Sequence, residues 1–446
     1  MLDILVLLLF FILFGFFLFG KTHNHFLLFV SVSIFIPYCV YFNKNPSISP
    51  HHLLLYFFFI KLFSQSPLEL KSHYNKFPLK IPLILIIISL LGSVYFNEVG
   101  AVGFYNAFRF FMENYSYLFI GFVLAFYYKE TDFLNKMYWP MIVFCLFGLF
   151  EFVQGDNFIF RIICKAFPIY DGYLSLDSII SLSRTYRTRI FISTVHPSTL
   201  GAVMCCMSLA YISQIKNIDK SNFKKGILLV LMLSVLFLSG SRTGLICFLF
   251  GSIILFFNRI AFTLKIIAFV SCVFIFVYQI NTFIEKFEQE GQGSSISMRQ
   301  EQLIFSYMYF LKSPIYGNGV RYTSKNIMER DSYNDRVVDS SIGGLESVVF
   351  YQVIDYGLMG FSSYIILFLF IIRYFFKNRK KKYAITGLAI TSSFLLFAIF
   401  SGEIGGNNVV AYLLIGYCMG ISSLPKEEND EVKEDVVSDI LKLESK

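Results

Sequence analysis

Residues 226–257 read GILLVLMLSVLFLSGSRTGLICFLFGSIILFF. Two apolar runs, 226–239 and 243–258, flank a turn of serine, glycine and arginine. Apolar blocks approaching about 20 residues match the thickness of a bilayer core. Inside hydrocarbon the backbone must satisfy its own hydrogen bonds, so such blocks are helices. The turn is too short for anything but a hairpin between two spans, and it sets Arg242 at the membrane edge.

The same pattern extends along the chain. Apolar segments fall near 3–20, 25–42, 50–65, 80–96, 115–128, 137–154, 192–213, 226–239, 243–258, 263–281, 346–375, 384–400 and 407–422. The third is the weakest, with His51, His52 and Lys61 at its flanks. The whole sequence is 56% hydrophobic and 15% charged over 446 residues, too little polar surface to cover a soluble core. The ten-residue alternation of a membrane barrel is absent. The fold expected is all-α, a polytopic transmembrane bundle of about 12–13 spans.

Loop charge orients it. Lys61, Lys71, Lys76 and Lys80 mark one cytoplasmic loop, Lys129 and Lys136 a second, and Lys216, Lys220, Lys224 and Lys225 a third. Arg259 with Lys265, then Arg379 to Lys382, continue the alternation, as the positive-inside bias requires. If every segment crosses, the N-terminus lies outside and the C-terminus inside; if 50–65 does not, both lie inside. Met1–Gly20 carries Asp3 and no basic leader, so it reads as a retained span. The formal charge of +8 is thus topological and no sign of nucleic-acid binding. Seven of the 8 cysteines lie in apolar runs and only Cys164 looks loop-borne, so no disulfide framework is expected.

The domain division expected is a membrane domain over 1–424 and an acidic cytoplasmic tail over 425–446. Two outer segments, 155–190 and 281–345, exceed ordinary connections, and long loops are usually functional. The first ends Ser183-Arg184-Thr185-Tyr186-Arg187-Thr188-Arg189, and the second holds Arg299, Arg321 and Arg336. Positive charge on the outer face runs against the topological bias. Guanidinium is the preferred group for bidentate recognition of phosphate, so Arg242, Arg299, Arg184, Arg187 and Arg189 suit a lipid-linked diphosphate. The bland reading of each is an interfacial anchor or surface charge, which the cost of an intramembrane charge disfavours for Arg242. Arg321 and Arg336 read as surface residues.

A second constellation runs from Asp339 to Ser347 and into a helix ending Asp355-Tyr356-Gly357-Leu358-Met359-Gly360. Glu346 opens that helix. A partly desolvated carboxylate there suits a general base on a sugar hydroxyl; a first-turn glutamate favoured by the helix dipole fits the same position. Gly317-Asn318-Gly319 lacks the lysine of a phosphate-binding loop and reads as a turn. His196 reads as a packed, hydrogen-bonded histidine. The aromatic stretch 95–116 around Arg109 reads as an amphipathic segment along the outer interface.

These motifs, Ser-Gly-Ser-Arg242-Thr-Gly-Leu-Ile, then Arg299 and Ser313-Pro-Ile-Tyr-Gly-Asn-Gly319, then the Glu346 helix ending Tyr356-Gly-Leu-Met-Gly360, resemble the O-antigen ligase/polymerase superfamily. That family acts on undecaprenyl-diphosphate-linked glycans. The resemblance implies that Arg242 and Arg299 hold the diphosphate. Ligases of the family carry a catalytic histidine where Glu346 stands, and no histidine follows His196. This departure is similar to the Wzy-type polymerase branch. The resemblance therefore implies a glycosyltransferase of the bacterial cytoplasmic membrane, working on its outer face. It would join lipid-linked repeat units without a metal or other cofactor, with donor and acceptor oligosaccharides, the lipid bilayer and a polysaccharide chain-length regulator as partners and no nucleic acid. The ligase, a lipid-linked sugar flippase and an envelope scaffold are the alternatives.

Overall fold

The computed structural model describes residues 12, 15, 30–31, 34–37, 40–41, 49–65, 67–97, 100–128, 132–167, 189–194, 196–215, 220–256, 295–323, 345, 347–401 and 407–424. The expected span 263–281, most of 3–20 and of 25–42, most of the loop 155–190 and the tail 425–446 lie outside them.

Within these residues the structure is helical, without a strand. In chain order the helices are α1 (Pro50–Gln65), α2 (Pro67–Lys76), α3 (Lys80–Asn97), α4 (Ala101–Tyr127), α5 (Asp132–Lys136), α6 (Tyr138–Gln154) and α7 (Phe158–Ala166). After these come α8 (Pro197–Ile212), α9 (Lys220–Leu238), α10 (Arg242–Phe256), α11 (Ser295–Lys312), α12 (Val348–Lys377), α13 (Lys382–Phe400) and α14 (Asn407–Ser423). Four of them are long and apolar enough to cross a membrane: α3, α4, α12 and α13 from Tyr383 onward. The apolar helices α6, α8, α10 and α14 are shorter. This is a multi-pass helical membrane protein.

Two central helices explain the packing. Every residue of α8 from Thr199 to Tyr211 is buried, as is α14 from Asn408 to Ser422. A helix apolar on all sides belongs inside a bundle. Around them, α4 lies along α14, α10 and α13 pack on α8, and α12 joins α3 to α13. The α4–α14 seam is closest. A Cβ at Gly121 would meet the Leu413 carbonyl, and one at Gly416 would meet that of Leu118. Small residues let helix backbones touch where lipid supplies no hydrophobic drive. On the outside, α3 exposes Ile81, Ile84, Ile88 and Leu91, then Tyr95 and Phe96 at its far end. Aromatic residues in that position mark a membrane–water boundary.

Three expectations change. The stretch 95–116 does not lie along the interface. Its larger part belongs to α4, a continuous 27-residue helix with Arg109 buried. Aromatic Phe110 and Tyr115 pack inward, and an i,i+4 carboxylate, Glu113, neutralises the arginine. The weak segment 50–65 forms α1, bent by 106° onto α2, and Lys61 is buried instead of lying in a loop. Cys164 also sits buried, in the helix α7.

Candidate functional site

The turn Ser239–Ser241 is built by its own side chains. The Ser239 hydroxyl accepts from the Ser241 amide at 3.2 Å and donates to the Leu236 carbonyl at 2.7 Å. Ser241 in turn caps α10, accepting from the Gly244 amide at 3.1 Å. Arg242 is therefore the first helical residue and is exposed. A guanidinium beside the free amides of a helix N-terminus is suited to an anion.

Arg189 arrives at this turn from a distant segment. A Cβ on Gly240 would stand 3.2 Å from the Arg189 Nε, so the arginine lies against the turn. What holds it there is Glu151 near the end of α6. This carboxylate is buried and accepts from the amides of Phe191 at 3.1 Å and Ile192 at 2.8 Å. Ile192 has a φ of 53°, an uncommon value for a β-branched residue. Asn157 binds its carbonyl at 2.6 Å and Ser193 donates to the Ile34 carbonyl at 2.6 Å. The segment carrying Arg189 is thus anchored from several sides.

Of the other expected site residues, Arg299 falls in α11. Arg184, Arg187 and Glu346 lie outside the described residues, as does Arg336. The neighbours of Glu346 are described: Leu345 and Ser347 are buried, and Ser347 precedes α12 and donates to the Ala398 carbonyl at 3.3 Å. His196 caps α8, with its Nδ1 accepting from the Ser198 amide at 3.1 Å. It is the packed histidine expected.

The two later motifs meet directly. Helix α12 breaks at Gly357, whose φ of 61° and ψ of −157° are non-helical. The turn after α11 fills the break. Leu358 donates to the Pro314 carbonyl at 2.9 Å, Met359 to Ile315 at 3.1 Å, and Asn318 to the Ile354 carbonyl at 3.0 Å. A Cβ at Gly357 would be 2.6 Å from both the Gly317 nitrogen and the Ile315 oxygen, so two backbones touch here. On the α3 side, Asn97 donates to Gly317 at 2.9 Å, and Phe96 stacks on Tyr316 at 4.1 Å. Gly317-Asn318-Gly319 is indeed a turn, and its partner is the Tyr356–Gly360 motif.

This clasp delivers Arg321, which the sequence reading places at the surface. The structure shows it half-buried and ion-paired instead of a free surface charge. Buried Asp355 accepts from the Thr323 amide at 2.8 Å and from its hydroxyl. Arg321, two residues earlier, then points its guanidinium onto Glu113 of α4. The same carboxylate receives Arg109 Nε at 2.6 Å and His52 Nε2 of α1. The side chains of His52 and Arg109 are 7% and 6% exposed, against 29% for Arg321, so the cluster opens at Arg321. Burial opposes charge on Arg321, but the Glu113 carboxylate outweighs it and holds the guanidinium above its ordinary pKa. Aromatic rings wall the cluster: Arg321 lies 5.7 Å over Phe110 and Arg109 5.9 Å over Tyr41. The signal for half of it was local, since Arg109 and Glu113 form an i,i+4 pair in an apolar stretch, and intramembrane charge is a functional flag. Its joining to residues 52 and 321 was not readable from spacing.

Arg242 opens α10 and the Arg321 turn follows α11, whereas Lys80 opens α3, Lys377 closes α12 and Lys382 opens α13. In comparison with known proteins, residues 227–365 match the family described as O-antigen ligase. This match supports the O-antigen ligase/polymerase superfamily for the chain and includes Arg242, Arg299, Glu346 and the α11–α12 clasp. No curated protein matches it.

Proposed function

We propose that this chain is a polysaccharide repeat-unit polymerase of the bacterial cytoplasmic membrane, acting on its outer face. The observation that carries this reading is the placing of Arg189 against the turn that presents Arg242. Arg189 and Arg242, from separate segments, meet at one turn, on the side that the lysine pattern argues to be outer, as suits a lipid-linked diphosphate. Arg299, Arg184 and Arg187 are the further residues proposed to bind it.

The transfer breaks the bond between the donor glycan's anomeric carbon and the diphosphate oxygen. A bond forms from that carbon to a hydroxyl of the acceptor glycan. Glu346 takes the hydroxyl proton, and the diphosphate leaves as an anion whose growing charge the arginines stabilise. The matched family's description favours ligation as the second reading. Against it stands the absence of any histidine after His196.

The test uses the purified protein in liposomes with an undecaprenyl-diphosphate oligosaccharide, products being resolved by gel. Wild type is expected to make a ladder. Arg242→Ala and Glu346→Gln should each lower it by at least about 100-fold, the scale of a lost general base or charge stabiliser. A ladder of full intensity in both variants sinks the assignment. A single transfer, seen only when a lipid A core acceptor is added, makes the protein a ligase. Substrate that crosses the bilayer unchanged makes it a transporter.

A further inference from the structure

We propose that Arg321, seated on Glu113 beside Arg109, binds a second lipid-linked diphosphate, that of the acceptor, apart from the donor seat at Arg189 and Arg242. The proposal rests on the polymerase reading, in which both substrates hang from a lipid diphosphate. Three observations carry it.

The first is charge. Arg321 reaches Glu113 through Nη2 alone and shares that carboxylate with Arg109 and His52. It keeps N–H donors and positive charge to spare, and it is the member of the cluster open to the outside. A planar guanidinium with spare donors is made for a phosphate oxygen pair.

The second is backbone. Arg321 has a φ of 57°, a left-handed conformation that a non-glycine residue avoids. It is kept there by Asp355 on Thr323, by fully buried Val320 and by the clasp on the broken helix α12. A snorkelling surface arginine needs no such support; strain held in place by its surroundings concentrates at binding and catalytic sites.

The third is location. The Arg321 cluster stands on α1 and α4 and is braced by α12, whereas Arg189 stands on the segment leading into α8 and Arg242 on the turn joining α9 to α10. The two sets share no helix. Helix α14 packs between α4 and α8, and α13 between α14 and α10. Addition to the non-reducing end of an acceptor requires two diphosphate seats, and these two sets flank the 34–36 backbone, which Ser193 bonds on one side and His51 on the other. The acceptor's diphosphate is at its reducing end, one repeat unit away from the hydroxyl that attacks. The rim of the cluster offers exposed Tyr105 and Phe108, with Tyr56 stacked on Phe108. These rings suit the sugar and prenyl groups on either side of a diphosphate.

The experiment is calorimetric titration of the protein in nanodiscs with farnesyl diphosphate, and in parallel with inorganic diphosphate. Wild type is expected to bind two equivalents of farnesyl diphosphate, Arg321→Gln one, and the double variant Arg189→Ala/Arg242→Ala the other one. Arg321→Lys keeps the ion pair with Glu113 but loses the fork, so one of its two sites should weaken by about tenfold; this variant carries the test if Arg321→Gln does not fold. Two unaltered equivalents in both Arg321 variants overturn the proposal. One equivalent in wild type, abolished with Arg189 and Arg242, overturns it while leaving the polymerase reading intact. No binding by wild type overturns both. Inorganic diphosphate bound at the Arg321 seat as tightly as farnesyl diphosphate identifies a free-diphosphate site and removes the lipid-linked acceptor from it.

Discussion

Glu151 and Glu113 show how much a single carboxylate does in this protein. Neither is proposed to bind the substrate; each fixes an arginine that is. Glu151 takes two backbone amides of buried residues, Phe191 and Ile192, and through them sets Arg189 on the Gly240 turn. Removing it leaves two buried N–H groups without that acceptor, at a cost of about 1–3 kcal/mol for each group so stranded. Glu151→Ala is therefore expected to lower thermal stability in detergent and to cut the polymer ladder by at least about tenfold, the equivalent of about 1.4 kcal/mol in the barrier. Glu151→Gln retains an acceptor oxygen and should recover part of both. A ladder unchanged in Glu151→Ala, with the protein destabilised, would show that Arg189 needs no fixed position and takes no part in the reaction.

At the scale of elements the broken helix is the organising feature. An uninterrupted α12 of 30 residues would be about 45 Å long, against a hydrocarbon core of about 30 Å. The break at Gly357 leaves about 20 residues below it, from Leu358 to Lys377, the length that crosses. Above it the first turns carry Asp355 and hold the clasp. Gly357→Ala forces a side chain into a backbone region essentially reserved for glycine, costing about 1–3 kcal/mol, and drives a Cβ into Ile315 and Gly317. The clasp should open and Arg321 should leave Glu113. Trypsin, which cannot engage a guanidinium held on a carboxylate, is expected to cut after Arg321 in the variant much faster than in wild type, and polymerisation should fall in parallel. Equal cleavage rates would separate the helix break from the placing of Arg321. The sequence shows both halves of this device as short motifs, since glycine, proline and asparagine announce turns. It does not show that they lock together, because α11 and α12 are far apart in sequence and spacing leaves their pairing unconstrained. For the same reason the hairpin at Arg242, a wholly local structure, is legible from residues 226–257 alone, while the partners of Arg321 are not. Arg109 is misplaced at sequence level for a different cause: an aromatic helix with one charge looks interfacial until the carboxylate one turn along is counted with it.

For the molecule as a whole, the proposals share one requirement, that the ends of the helices bearing Arg189, Arg242 and Arg321 face away from the cytoplasm. The polymerase reading puts the reaction on the outer face, so a site on the other face would not fit it. The lysine pattern argues for that orientation, and the fold makes it testable at a few positions. Lys312 is exposed at the end of α11, next to the clasp; Lys71 is exposed on α2 and Arg379 beyond the end of α12. The described cysteines, Cys145, Cys164, Cys205, Cys206, Cys247 and Cys418, are all buried, so their background labelling should be low. In intact cells, Lys312→Cys is expected to react with a membrane-impermeant maleimide, while Lys71→Cys and Arg379→Cys should react only after the membrane is opened. The bend of 106° between α1 and α2 makes Lys71 the informative case. Labelled from inside, it shows α1 and α2 together crossing from the Glu113 cluster to the cytoplasm. Labelled from outside, it makes the pair a re-entrant hairpin, with the cluster unmoved. Labelling of Arg379→Cys in intact cells would turn the bundle over and end the polymerase assignment, whatever the arginines bind.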